Sequence, residues 1–246
     1  MACASRTQPF TITVRRAPTA LTAGSAGESP QAWGAGLRGG GAGGHDARMD
    51  RLTREQRMEL ARQDGVASVA QLIAWGFDHA TLGRRARAGD WQRLHRGVYA
   101  LHSGPLTWHA RARAALLLGG PDAALSHLSA GYLQRMVHAA PRRIEVSVPI
   151  SISPAATARV VFHRRRPMPF VLRSGLARTY PAETALDLLG LASTTDAAVG
   201  WLTEGVRAGA APHEILEAAN GRARLRHRGL VEEIFATRDG TVESAL

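Results

Sequence analysis

Apolar and polar positions change their period several times along the chain, and each change marks an element. Thr53-Arg54-Glu55-Gln56 has the S/T-x-x-E/Q spacing in which hydroxyl and amide cap a helix start reciprocally. This predicts a helix to about Gln63, ending near Asp64-Gly65. Ser68-Val69-Ala70-Gln71 repeats the spacing and opens a second, short helix, which Gly76 terminates in the left-handed conformation. Asp78 is the expected N-cap of a third helix closed by Gly89, with Leu82 and Ala86 as its inward stripe and Phe77 packing nearby. Its outward positions are then His79, Thr81, Arg84, Arg85 and Arg87. From Trp91 to Leu101 the period shortens to that of two strands around Arg96-Gly97, with Trp91, Leu94, Val98 and Tyr99 as the apolar members. Three short helices with a tight turn between the last two, followed by a hairpin, is the order of a winged helix-turn-helix.

Beyond Trp108 the pattern is mixed. Helices are expected over Ala110–Leu118, stopped by Gly119-Gly120-Pro121, over Ser126–Val137, and over Pro181–Leu191 with proline in the first turn. Two more follow at Asp196–Arg207 and Pro212–Ala219. Ile144–Val148 alternates strictly and reads as a strand, and Arg159–His163 is a second short strand. The fold class is therefore α+β: a winged helix-turn-helix at 49–103, then a mixed α+β domain at 104–240. Residues 1–48, with Gly39-Gly40-Gly41-Ala42-Gly43-Gly44 and no sustained periodicity, read as a disordered extension. Either that stretch is translated, or Met49 is the true start. Residues 241–246 look like the start of a further segment.

Charge sharpens this picture. The chain of 246 residues carries a formal net charge of +11, and all 31 of its basic residues are Arg. The leader holds five Arg and two acidic residues, so +3 lies there and +8 in residues 49–246. Part of the Arg excess reflects a GC-rich coding bias, but Arg also forks well onto phosphate and guanine edges. Without Lys there is no P-loop lysine, no Schiff-base lysine and no lysine-dependent nuclease centre. The single cysteine, Cys3, excludes internal disulfides and cysteine zinc sites. No apolar run approaches the roughly 18 residues of a membrane span, and no basic start followed by an apolar stretch opens the chain. A cytoplasmic protein is expected.

The placement of the arginines carries more than their number. A major groove about 12 Å wide admits one helix. Arg84 and Arg87 share a face with Thr81 on the third helix, where they are placed to reach bases, while Arg85 is angled towards phosphate. Arg93, His95 and Arg96 cluster on the hairpin, where a wing meets the backbone or minor groove. The DNA-binding set is thus His79, Thr81, Arg84, Arg85, Arg87, Arg93, His95 and Arg96.

Other motifs carry less. His213-Glu214-Ile215-Leu216-Glu217 begins like a zincin helix, but Glu217 stands where the second histidine belongs, and a helix capped after Pro212 suffices. Ser126-His127 reads as a helix cap near the domain junction. Glu183 and Asp187, four apart, read as helix-surface charges with no third ligand beside them. Arg164-Arg165-Arg166 and Arg222–Arg228 read as solvated clusters that allow phosphate or RNA contacts. No catalytic residue, cofactor or metal site is assigned.

Several segments together resemble the AbiEi family. They are Gln63–Ser68, Gln71-Leu72, Gly89–Tyr99, Leu106-Thr107-Trp108, Leu125–Ala130 and Arg178–Leu188, spread over about residues 50–246. The family comprises antitoxins and transcriptional repressors of type IV toxin–antitoxin systems. The resemblance implies repression of the protein's own operon through upstream double-stranded DNA. It also implies opposition to a nucleotidyltransferase-type toxin without a stable complex. The second domain would then serve dimerisation, most simply of a homodimer, DNA contacts or toxin counteraction. Many relatives continue into a domain resembling very-short-patch-repair endonucleases, of which Val242-Glu243-Ser244-Ala245-Leu246 resembles only the beginning. Two other readings are a remnant of such a repair protein without its catalytic part, and a protein-interaction module that binds no DNA.

Overall fold

The capping signals act as the sequence predicts. In the computed structural model, which describes residues 52–235 apart from 156, 170 and 174, helix α1 spans Arg54–Arg62. The Gln56 amide N–H donates to Thr53 Oγ1 at 3.1 Å, and the Thr53 N–H donates to Gln56 Oε1 at 2.9 Å. The same box between Ser68 and Gln71 opens α2 (Val69–Ala74). Gly76 follows at φ +87°, a conformation that costs glycine little. Asp78 Oδ1 then accepts from the Thr81 N–H at 2.6 Å and opens α3 (His79–Arg87). The readings for residues 1–48 and 241–246 lie outside the described residues.

One element here escapes the periodicity. Val66–Ser68 forms strand β1, too short for a pattern to show and overlapping the capping box. It pairs antiparallel with β3 (Val98–Ala100), which also pairs with β2 (Gln92–His95), giving the order β1-β3-β2. Helices α1 to α3 pack on one side of this sheet around Leu60, Leu72, Phe77, Leu82, Trp91 and Tyr99. Fully burying side chains such as Leu72 and Leu82 contributes roughly 1.5–3 kcal/mol each.

The sheet's other face meets α4 (Trp108–Gly119), whose Ala110 and Ala114 lie on Val66, Val98 and Ala100. The opposite side of α4, with Ala112, Ala115 and Leu116, packs on a five-stranded sheet. That sheet comprises β4 (Ala124–Leu125), β5 (Ile144–Pro149), β6 (Val160–Arg165), β7 (Val171–Leu172) and β8 (Arg178–Thr179), in the order β6-β5-β4-β8-β7. Strands β5 and β6 run parallel with Ser147 opposite His163. Strands β4, β7 and β8 are two residues long, below what alternation reveals. Helix α5 (His127–Leu133) ends before the expected Val137, where Arg135 at φ +62° turns the chain.

A helical layer follows: α6 (Pro181–Leu189), α7 (Thr195–Arg207), α8 (Pro212–Asn220) and α9 (Arg228–Phe235). Helix α8 is held at its start by Glu214, which accepts the Ala211 N–H at 2.8 Å, in keeping with a capped helix. The sequence reading assigned no helix at α9, which begins at the last residue of the Arg222–Arg228 cluster; its Leu230, Val231, Ile234 and Phe235 join the apolar core of α7 and α8. The molecule is thus α+β. Helices α6 and α7 approach so closely that a Cβ on Gly205 would lie 2.5 Å from Ala185 Cβ. Gly205→Ala is expected to destabilise the protein by about 1–3 kcal/mol through overpacking, read as a lower urea midpoint; an unchanged midpoint contradicts this contact.

Candidate nucleic-acid interface

Helix α3 has a buried back formed by Leu82 and an exposed front. His79, Ala80, Arg84 and Arg87 are exposed along that front. Thr81 is half-buried, and its Oγ1 accepts from Arg84 Nη2 at 3.0 Å, which steadies the Arg84 guanidinium at the helix surface. Gly83 leaves room beside it for the Arg87 guanidinium, whose nearest nitrogen would stand 3.7 Å from a Cβ there. At the helix start, the Thr81 hydrogen bond holds the Asp78 carboxyl below the usual carboxylate range, so Asp78 remains an ionised cap.

Arg85 departs from expectation. It was assigned to the outward, phosphate-contacting set, but it is 9 % exposed and its Nη1 lies 2.6 Å from Asp90 Oδ2. The carbonyl of Arg85 also accepts the Asp90 and Trp91 N–H groups. Arg85 therefore ties the end of α3 to the segment leading into the hairpin and is not a surface cation. The reason is helical geometry: position 85 lies three residues after Leu82, on the inner side.

The hairpin carries two more exposed arginines. Arg93 and Arg96 are exposed, and Gly97 at φ +78° makes the turn between β2 and β3. The Gly97 carbonyl accepts the Val69 N–H at 2.8 Å, anchoring the turn to the start of α2. His95 is half-buried, and burial pushes its imidazole below the usual histidine range, so it stands neutral near pH 7. It offers hydrogen bonds and no charge. Arg84 and Arg87 on α3 and Arg93 and Arg96 on the hairpin are thus exposed cations, with His79 exposed at the start of α3 and Arg85 withdrawn.

A second polar centre lies on the five-stranded sheet, and the sequence reading missed it. Glu183 and Asp187, read as surface charges, are 9 % and 4 % exposed. Arg222 Nη2 donates to Glu183 Oε2 at 2.6 Å, and Arg222 Nη1 lies 2.9 Å from Asp187 Oδ1. Arg165 Nη2 donates to Asp187 Oδ1 at 2.5 Å. Two arginines of the supposedly solvated clusters are therefore committed to buried carboxylates. The Ser126 hydroxyl does not cap α5; its Oγ lies 3.1 Å from His127 Nδ1. Burial pushes His127 down to about 4, against the opposing pull of Asp187. A cleft of about 810 Å³ opens beside this centre, with Arg164, Arg166 and Arg224 at its edge. Segments more than 90 residues apart supply these groups, and no local spacing signals their meeting.

The brace at Arg85 generates a prediction. Arg85→Ala leaves Asp90 without this partner and is expected to lower stability by about 1–3 kcal/mol, whereas Arg84→Ala on the exposed side shifts it by less than about 0.5 kcal/mol. Thermal melts of both variants check this, and equal melting points would contradict a structural role for Arg85.

No curated protein matches the chain. The crystal structure of the RV2827C protein from Mycobacterium tuberculosis is similar, with 17 % identity, a TM-score of 0.48, and coverage of 67 % of this chain and 70 % of that one. Among the described residues no helix is long and apolar enough to cross a membrane. Residues 54–102, the unit of α1 to α3 with the β1-β3-β2 sheet, match the family model of the AbiEi antitoxin transcriptional regulators. That match covers 49 of the 246 residues, so this unit is similar to the AbiEi antitoxin transcriptional regulators.

Proposed function

We propose that this protein is a cytoplasmic, sequence-specific DNA-binding repressor acting as an antitoxin, with the unit at 49–103 as a winged helix-turn-helix. In this reading α3 enters the major groove and the β2–β3 hairpin is the wing. One observation carries it: Arg84 and Arg87 are exposed on the front of α3, and Arg93 and Arg96 are exposed on the adjoining hairpin. The element order, with β1 between the first two helices and the strand order β1-β3-β2, supports the same reading. So does the family match, which falls on this unit.

The roles divide by chemistry. Arg84 and Arg87 have the reach and fork geometry for guanine edges. Thr81 positions Arg84 and reaches the groove floor from the first turn. His79, exposed at the helix start, and neutral His95 serve as hydrogen-bonding contacts. Arg93 and Arg96 neutralise phosphates. Arg85 acts through Asp90 as a positioning residue. The domain at 104–240 supports dimerisation or counteracts a nucleotidyltransferase-type toxin, without a stable complex between the two proteins. The target is the region upstream of the protein's own gene.

Fluorescence anisotropy with that region tests the proposal. Saturable binding is expected. Arg84→Ala and Arg87→Ala should each weaken it by about 1–3 kcal/mol and relax sequence preference. Arg93→Ala and Arg96→Ala should weaken binding to all sequences alike and lower the salt dependence by about one counterion each. Unchanged affinity in both helix variants overturns the recognition-helix assignment. Affinity no higher than that of an Arg-rich control favours a protein-interaction module instead.

A further inference from the structure

We propose that His127, Glu145 and His163 form a binding site for one divalent transition-metal ion of the zinc class. The residues come from the start of α5, from β5 and from β6. One ligand atom of each lies within 4.8 Å of the others. His163 Nε2 stands 3.4 Å from Glu145 Oε1 and makes no hydrogen bond although it is buried. That separation is long for a hydrogen bond. It is the edge of a zinc tetrahedron, roughly 3.4 Å when each ligand sits about 2.1 Å from the ion. Two imidazoles and one carboxylate are a donor set that zinc takes, with a fourth position open to water.

The surrounding hydrogen bonds choose the ligand atoms. Glu145 Oε2 accepts the Leu128 N–H at 2.9 Å, and the Glu145 N–H donates to Ser129 Oγ at 2.9 Å. Oε1 is the oxygen left facing His163. His127 Nδ1 faces Ser126 Oγ at 3.1 Å and Asp187 Oδ2 at 3.5 Å, which leaves Nε2 for the ion. Asp187 Oδ2 is buried without a hydrogen-bond partner. A carboxylate behind the far nitrogen of a ligating histidine is the usual outer support, because it fixes the tautomer and ring orientation.

The charges permit a cation. Arg165 and Arg222 are the nearby positive groups, and both are bound to Asp187 or Glu183. These two arginines and two carboxylates balance, so Glu145 gives the site its net negative charge. The two imidazoles now stack with centroids 3.7 Å apart and planes 17° from parallel. Both rings cannot aim in-plane lone pairs at one ion from that stack, so binding rotates one of them. The ion would tie α5 to the parallel pair β5–β6.

The test uses the untagged full chain, stripped with a chelator and titrated with Co²⁺ and then Zn²⁺. One equivalent of Co²⁺ should give visible d–d bands, Zn²⁺ should displace it, and the melting temperature should rise. His163→Phe keeps a ring in the stack and removes its nitrogens; Glu145→Gln keeps an acceptor for Leu128. Each should weaken Zn²⁺ binding on the order of tenfold or more with an unchanged far-ultraviolet circular dichroism spectrum, while His138→Ala, on an exposed histidine, keeps wild-type affinity. X-ray absorption of the zinc-loaded wild type counts imidazoles without any mutation and should find two. Absence of binding to the wild type, binding that survives both variants, or fewer than two imidazoles overturns the site.

Discussion

Helix α4 must be buried on two sides at once. Ala110 and Ala114 meet the three-stranded sheet, and Ala112, Ala115 and Leu116 meet the five-stranded one. Small side chains let both sheets approach, and larger ones would overpack a core already at crystal-like density. Arg113 on the same helix adds a polar tie. It donates to the Arg62 carbonyl at the end of α1 and to the Gly175 carbonyl ahead of β8, at 3.2 and 3.4 Å. The sheet that carries the hairpin therefore rests on the same helix as the second half of the molecule, and α3 inherits its position from both.

Within the N-terminal unit, burial sorts arginines that look alike in the sequence. Arg84 and Arg85 are neighbours, yet Arg84 is held at the surface by Thr81 and Arg85 is drawn inward by Asp90. A guanidinium as buried as that of Arg85 needs a carboxylate partner, because an unpaired buried charge is costly. Asp90 supplies it from the segment joining α3 to the hairpin. That ion pair withdraws Arg85 from the surface on which Arg84, Arg87, Arg93 and Arg96 stay exposed, and it ties the end of α3 to the segment before the hairpin.

The second half of the chain is organised around buried charge as well as apolar packing. Asp187 receives two guanidinium groups on one oxygen and faces His127 with the other. These groups lie on α6, β6, α5 and the segment after α8, so the network ties the sheet to the helical layer behind it. Such a network is poor at adding net stability, since desolvation offsets much of its attraction. Breaking it leaves buried charges unpaired, and it therefore holds its members in one arrangement.

What could be read in the sequence was whatever closes within a few residues. The two capping boxes, the Asp78 cap, the left-handed glycines at 76, 89 and 97, and the alternation of 144–148 are local, and each sits where the sequence puts it. The α+β class followed from them, as did the exposed arginines of α3 and the hairpin. The short strands β1, β4, β7 and β8 were hidden, because two or three residues show no period and their pairing partners lie far along the chain. The inward turn of Arg85 was local, three residues after Leu82 and five before Asp90, and the reading passed over it; the burial of Glu183 and Asp187 and the meeting of His127 with Glu145 and His163 depend on partners as much as 60 residues away. The sequence determined which side chains were present and which local elements carried them. The tertiary structure alone decided which charges would be spent inside the protein and which left for a partner, because the desolvation cost that separates them exists only once the layers close.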